Sequence, residues 1–385
     1  MTCPYKLLPG PSATATVPPV TPSSDLIVVG AGIVGLAHAV EAVARGLSVT
    51  VVERDERAVG ASVRNFGHGC VTAQTGEALA FGERARGTWL RMGRAAGFSA
   101  VETGTVVVAR AAEELAALEE LADERGADDV VLLDAAAVGG RVPVTGALGG
   151  AFLPRDIRVD PRAAAPAIAA WLARQPGVTF HWATPVLGVD EGVVRTGRGE
   201  LRADRVVVCT GHDLDRLLPE VAEEAGLQRC VLQMLQVRAP GLRIDPAVLT
   251  GSSMLRYPAL SRTAGARALR GRWADERPDL LGAVVNHMLT QRPDGDLVVG
   301  DTHSYARTHP PFSDESLDEL LLAETRSLLG VHDLRVVHRW RGVYASAEGE
   351  FLRARVAPGV TAVSVTSGIG MTTAFGLAPS VLDSF

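Results

Sequence analysis

The chain predicts an α/β fold (α+β overall): a Rossmann-like nucleotide-binding domain assembled from discontinuous segments, plus a smaller mixed-sheet substrate domain. Three observations carry this. A strand, glycine turn, helix and second strand open the chain at Asp25–Arg54, an apolar strand R-V-V-V-C-T-G recurs at Arg205–Gly211, and a further strand, glycine turn and helix close it at G-V-T-A-V-S-V-T-S-G-I-G-M-T-T-A-F-G-L-A. The length of 385 residues suits about two domains.

In the opening unit, Leu26 to Val29 is a short continuous apolar run, as expected of a strand buried on both faces. Ile33, Leu36, Ala37, Val40, Val43 and Ala44 then recur at helical spacing, Gly46 closes the helix, and Leu47 to Val52 returns as a strand. Residues 103–121 read as a strand and an acidic surface helix, 296–301 as a strand, 316–329 as a helix, and R-V-V-H-R-W-R-G-V-Y-A-S as a further strand. The first 24 residues have no apolar core of a targeting signal and read as a disordered leader. The expected division is 25–95, 152–218 and 338–385 for the nucleotide domain, with 96–151 and 219–337 for the substrate domain.

Composition narrows the chemistry. Of 38 basic residues only Lys6 is a lysine, and it lies in the leader. That removes lysine Schiff-base chemistry and the lysine-dependent phosphate loops. Cys3, Cys70, Cys209 and Cys230 are too scattered for a metal framework, so no metal is expected. A net charge of -6 with dispersed arginines argues against a nucleic-acid partner. No apolar run reaches the roughly 18 residues of a membrane span, and the expected compartment is the cytoplasm.

The glycine turn is G-A-G-I-V-G. Gly30 permits the tight turn, Gly32 lets backbone approach a pyrophosphate, and Gly35 lets helix and strand pack closely. The N–H groups of Ile33 and Val34, at the positive end of the helix dipole, face that pyrophosphate. Glu53 ends the second strand, followed by Arg54, where a carboxylate can accept hydrogen bonds from both ribose hydroxyls. A free 2′-hydroxyl points to FAD or NAD. The polar loop A-S-V-R-N-F-G-H-G, with Ser62, Arg64, Asn65, Gly67 and His68, follows directly and suits the longer ribityl and ring system of a flavin. In the closing unit, Gly368 and Gly370 open a helix whose Met371, Thr372 and Thr373 N–H groups can stabilise negative charge developing on a flavin that accepts a hydride.

The fingerprint, the S-x-R-N-x-G loop, A-D-R-V-V-V-C-T-G-H-D-L and T-S-G-I-G-M-T-T-A-F-G-L-A together resemble the superfamily of FAD-dependent D-amino-acid, glycine and sarcosine oxidases over residues 25–385. R-N-F-G-H-G, R-Y-P, G-D-T-H-S-Y and W-R-G-V-Y-A-S are similar to a branch of proposed aminophosphonate-oxidising flavoproteins associated with phosphonate metabolism. The resemblance implies that Thr210 and Gly211 meet the FAD pyrophosphate and that the backbone of Val186 meets the adenine. It also implies noncovalent FAD, because Arg64 stands where some relatives carry a flavin-linking histidine. His68 is a candidate ring neighbour.

The implied reaction is hydride transfer from the carbon beside a small amine to flavin N5, then imine hydrolysis, with oxygen or another electron acceptor taking the electrons. Relatives of the glycine-oxidase type place a carboxylate-binding arginine in W-x-G-x-R; this chain has W-R-G-V-Y, so Tyr344 stands there. Arg256 with Tyr257 is the replacement, supported by His287, Tyr305 and Tyr344, with Arg341 and His303 as further candidates. The substrate read from this set is a primary or secondary amine with an anionic tail, an aminophosphonate or N-alkylated aminophosphonate. A glycine- or sarcosine-type oxidase or dehydrogenase, and a non-catalytic flavin-binding protein, are the alternatives. Sarcosine-oxidase-like relatives meet oxygen with a lysine above the ring. Here an arginine or protonated histidine must replace it, from His68, Arg64 or His287.

Overall fold

The computed structural model describes residues 23–385; Lys6 and nearly all of the leader lie outside them. Its centre is a parallel sheet in the order Val178–His181, Val49–Val52, Ser24–Val29, Gly199–Val208, Val360–Ser367. The opening strand is buried throughout its apolar stretch from Leu26 to Val29. The helices Ile33–Ala44, Gly76–Ala96, Pro161–Leu172 and Gly370–Leu382 cover one face, sharing a core with the strands through Leu36, Trp89, Ile168 and Leu377. Trp89 joins the two ends of the chain: its indole N–H donates to the Met371 carbonyl at 2.7 Å, and its ring meets Phe375 edge to face.

The sheet continues through a half that is antiparallel except where Ala247–Leu249 pairs in parallel with Thr105–Ala109. Arg335–Ala357 pairs with Val360–Ser367 by its later residues and with Gln228–Arg238 by its earlier ones, with an irregularity between Ser346 and Phe351. Beyond Gln228–Arg238 come Leu297–Gly300, Met288–Gln291, Ala247–Leu249, Thr105–Ala109, Gly149–Leu153 and Val131–Asp134. Val106, Leu235, Leu289 and Val299 pack there beneath the helix Glu315–Leu329, and Val107, Leu249, Met254 and Met288 form a further core. The fold is thus the α/β arrangement with a large mixed sheet that the sequence predicts.

Each periodic segment becomes the expected element; most ends shift by a few residues, but the strand expected over 335–346 runs on to Ala357 and the one expected from Arg205 starts at Gly199. The second strand begins at Val49, because Arg45, Gly46 and Leu47 form a turn that donates three N–H groups back to Glu41, Ala42 and Val43. Among the described residues no helix is long and apolar enough to cross a membrane.

Candidate active site

The opening glycine turn is built by close approach. Gly30 has φ +104°, and a Cβ there would lie 2.5 Å from the Cys209 carbonyl oxygen. One on Gly35 would lie 1.9 Å from the Gly30 carbonyl oxygen. Only glycine permits this seam between the helix and two strands. Beside it runs a cavity of about 740 Å³, a size common for cofactor and substrate sites.

Glu53 is fixed at one end of this cavity: its carboxylate accepts from the N–H of Ala31 at 2.8 Å and of Asp55 at 3.1 Å. Its carbonyl accepts from Thr184 at 2.8 Å, which brings Val186 to the same wall. Arg54 pairs with Asp213 at 2.7 Å, and Asp213 also meets Arg216 and Arg229. Thr210 and Gly211 line the cavity just past the end of the strand Gly199–Val208. The Gly32 and Val34 N–H groups have no partner among the described residues, and both residues line the cavity.

Three details differ from the sequence expectations. The Ile33 N–H donates to Ser62 Oγ at 2.8 Å, because Gly32 at the N-cap has no side chain to satisfy it. Thr372 and Thr373 both donate their N–H to the Ile369 carbonyl at 3.0 Å, so the donors without a partner at the closing helix are those of Gly370 and Met371. His287 lies outside the cavity. It is buried with Nε2 3.0 Å from Thr325 Oγ1, because the strand that follows it turns the ring toward the helix Glu315–Leu329.

The polar loop mostly braces itself. Asn65 donates to the Ala61 and Ser62 carbonyls and accepts from the Gly67 N–H. Gly67, at φ +71°, packs where a Cβ would meet the Val159 carbonyl at 1.8 Å. Arg64 lines the cavity from an exposed position and donates to the Arg341 carbonyl at 3.3 Å. His68 also lines it, but Nε2 is held by Thr105 Oγ1 at 2.6 Å and by Asp156 at 3.3 Å. His68, Cys70 and Asp156 could each offer one metal-ligand atom within 4.8 Å of the others. Asp156 is instead a hydrogen-bond hub, accepting from the N–H groups of Val71 and Thr72 and from the Thr72 and Thr105 hydroxyls.

At the far end, Arg256, Tyr257, Tyr305 and Tyr344 come together on the cavity wall. Arg256 Nη2 donates to Tyr305 Oη at 2.9 Å. Burial alone would lower the Arg256 pKa, and Tyr305, Tyr344 and Asp301 hold it above the ordinary value. Tyr257 turns its hydroxyl to Met288 Sδ at 3.7 Å, and burial pushes that hydroxyl well above the usual phenol range. Tyr344 packs against the closing turn: a Cβ on Gly368, at φ +78°, would lie 3.0 Å from Tyr344 Cζ. His303 lines the cavity with Nδ1 2.9 Å from the Val284 carbonyl, while Arg341 turns outward to the Pro310 carbonyl.

The sequence reading missed Asp301, Asn286, Ser364 and Ser367, all of which line the cavity. Asp301 is buried, and desolvation raises its carboxyl to about 7 against the pull of Arg256. Asp301 directly follows the apolar strand Leu297–Gly300, a common pattern that does not by itself mark a site.

Comparison with known proteins places this geometry. The family model described as DAO, FAD dependent oxidoreductase, matches residues 25–381. The chain belongs to that family of FAD-dependent oxidoreductases. Among solved structures, glycine oxidase from Geobacillus kaustophilus is similar at 18% identity with a TM-score of 0.75, covering 94% of this chain and 94% of that one. Glycine oxidase from Bacillus cereus is similar at 16% identity and a TM-score of 0.77, over 94% and 96% of the two chains. Iminodiacetate oxidase from Chelativorans sp. BNC1 is similar at 18% identity and 0.74, over 92% and 94%. No curated protein matches the sequence significantly.

The residues present fit FAD. The Thr210, Ser364 and Ser367 hydroxyls are buried on the cavity wall with no hydrogen-bond partner among the described residues, as a polyhydroxyl chain requires. The glycine seam, Glu53 and the N–H groups without partners are donors and acceptors of the kind a dinucleotide and its pyrophosphate would need.

Proposed function

We propose that this oxidoreductase acts on the C–N bond of a small primary or secondary amine carrying an anionic tail, an aminophosphonate or N-alkylated aminophosphonate. One observation supports it most. Four arginines line the cavity; Arg54 and Arg216 pair with Asp213, and Arg64 is exposed on a carbonyl. Arg256 remains, part-buried and joined to a phenol rather than a carboxylate.

FAD, when bound, supplies the two-electron acceptor for the hydride on the carbon next to nitrogen. The chain's own residues bind, orient and exclude water. Arg256 offers a tetrahedral or planar anion a charged donor fork, and the Tyr305 hydroxyl adds a donor beside it. The glycine turn at 368–370 sets the distance between this end and the closing helix, where Gly370 and Met371 N–H groups stabilise developing negative charge. The imine released is hydrolysed by water. Arg64, Thr210 and Gly211 with Val186 are proposed as noncovalent FAD contacts, and His68 as a residue that braces the loop that would hold the flavin.

A glycine- or sarcosine-type substrate is the second reading, favoured by Asp301: when ionised it offsets part of the Arg256 charge and so suits a singly charged carboxylate. The experiment is anaerobic bleaching of the bound flavin by matched panels of amino acids and aminophosphonates. Bleaching by phosphonates at lower concentration than by the matching carboxylates supports the first reading, and the reverse order supports the second. No bleaching by any amine rejects both. Admitting air afterwards tests oxygen as acceptor. No lysine occurs among the described residues, so any cation meeting oxygen is an arginine or a histidine.

A further inference from the structure

Buried carboxylates in this chain are held by donors. Asp156 accepts from backbone and hydroxyl groups, Asp296 from Gln236 and Arg238, Asp318 from Gln233 and Arg339, and Glu114 from the Arg110 N–H. Asp301 breaks the pattern. It is 4% exposed, it lines the cavity, and its buried Oδ1 has no hydrogen-bond partner among the described residues. His303 Nδ1 stands 3.8 Å from it but is directed to the Val284 carbonyl. Its backbone is pinned, with N–H and C=O both paired to Asn286 at 2.8 Å. Asn286 and the local backbone lend the carboxyl some support, but a buried carboxylate oxygen without a donor costs stability unless something is meant to meet it. Arg256 acts on it electrostatically without a direct ion pair among the described residues, and both residues line the same cavity.

We infer that Asp301 is a catalytic residue that receives the proton of the substrate ammonium, while Arg256 holds the anionic tail. The assignment rests on the amine-oxidation reading above and deepens it. A hydride leaves only from carbon beside a neutral nitrogen, and an alkyl ammonium near pKa 10 is almost wholly protonated at neutral pH. The step is a proton transfer: the ammonium N–H bond breaks, an O–H bond forms on Asp301, and no electrons change hands. The products are the neutral amine and a neutral carboxylic acid. Binding drives the step in the right direction. A tail seated on Arg256 offsets the positive charge that favours ionised Asp301, so the carboxylate gains proton affinity when the ammonium arrives.

The surrounding groups leave Asp301 free to do this near neutral pH. Arg256 stays charged. Tyr257 is pushed well above its ordinary value by burial. Cys230 is raised to about 11 and His303 lowered to about 3, each by burial first. Among these neighbours Asp301 alone exchanges a proton between pH 5 and 9 on this account.

The test uses the FAD-loaded protein and whichever amine of the panel bleaches it. In a weakly buffered solution with a pH indicator, mixing at pH 8 releases no proton before bleaching, because Asp301 keeps it. At pH 6, where Asp301 already carries a proton, about one proton per site is released. Asp301→Asn releases one proton at both pH values. Its bleaching at pH 7 is about a hundredfold slower, rising tenfold per pH unit as free amine accumulates in solution. One proton released by the wild type at pH 8, or an Asp301→Asn variant with the wild-type rate and pH profile, overturns the assignment while leaving amine oxidation intact. If the variant does not hold FAD, the wild-type proton count decides alone. A wild type that no amine bleaches removes the amine reading and this assignment with it.

Discussion

Arg256 and Tyr305 form one unit on the cavity wall: the guanidinium Nη2 donates to the phenol oxygen at 2.9 Å, so the phenol O–H is not used by Arg256 and has Cys230 and the cavity as its surroundings. An anion meeting Arg256 therefore meets Tyr305 as well. Arg256→Ala removes a charged hydrogen bond of about 1.5 to 3 kcal/mol and raises KM by about 10- to 100-fold with FAD retained. Tyr305→Phe removes a neutral donor, and its effect is about 1 kcal/mol. Substrate titration of flavin bleaching measures both. An Arg256→Ala variant with unchanged KM and full FAD absorbance refutes the tail-binding role.

Gly368 keeps Tyr344 and the closing turn in contact. At φ +78° an alanine is strained by about 1 to 2 kcal/mol, and its Cβ would stand 3.0 Å from Tyr344 Cζ. Relief requires the ring or the turn to move, and both line the cavity. Gly368→Ala is expected to weaken FAD about tenfold, measured by fluorescence titration of the apoprotein. Gly46→Ala carries a similar backbone strain at φ +77°, with nothing within 4 Å of the added Cβ and no place on the cavity wall, and is the control. Equal FAD affinity in the two variants would show that strain alone, not the cavity, is being read.

How far the sequence reveals this site depends on the range of the interaction. Gly30, Gly35 and Glu53 were legible because a turn, a seam and a strand end are local events with a fixed spacing. The parallel half of the sheet was legible where its strands carry short apolar runs, Leu26 to Val29 and Val206 to Val208, and not at Val178–His181, whose V-T-F-H carries no such run. The Ile33–Ser62 bond was not, since it joins residues 29 apart and is chosen by the packing of the loop on the helix. His287 illustrates the opposite limit. The strand that follows it was unassigned in the sequence, so nothing fixed which side its ring would take, and the fold turns it to Thr325. Asp301 was passed over because an acid at a strand end is ordinary, and only the missing partner singles it out.

Ser62 completes a cap that Gly32 cannot provide. Its hydroxyl accepts the Ile33 N–H at 2.8 Å, and it stands 3.2 Å from where a Gly32 Cβ would lie. Ser62→Ala leaves that donor without its partner and costs about 0.5 to 2 kcal/mol of stability in the apoprotein. Ser62→Thr keeps the oxygen and should lose less. Thermal unfolding without FAD orders the three proteins. Equal Tm for wild type and Ser62→Ala would mean that the helix start is satisfied another way.

His287 is a folding group with a defined pH signature. Burial lowers its imidazole from the ordinary 6.5 to about 4, so the folded protein resists the proton that the unfolded chain accepts. Between those values the unfolded state binds more protons, and stability therefore rises with pH. The contribution is complete above about pH 6.5 and is lost as the pH falls toward 4, by about 3 kcal/mol in all. His287→Gln can still bond Thr325 but does not titrate. His38 and His303, whose buried rings are also lowered, to about 4 and about 3, remain in both proteins and cancel in the comparison. Denaturant unfolding at pH 7 and at pH 4.5 should show the wild type losing more stability than His287→Gln, by an amount approaching that value. Parallel losses in the two proteins would mean that the His287 ring is solvated and protonated in the folded state.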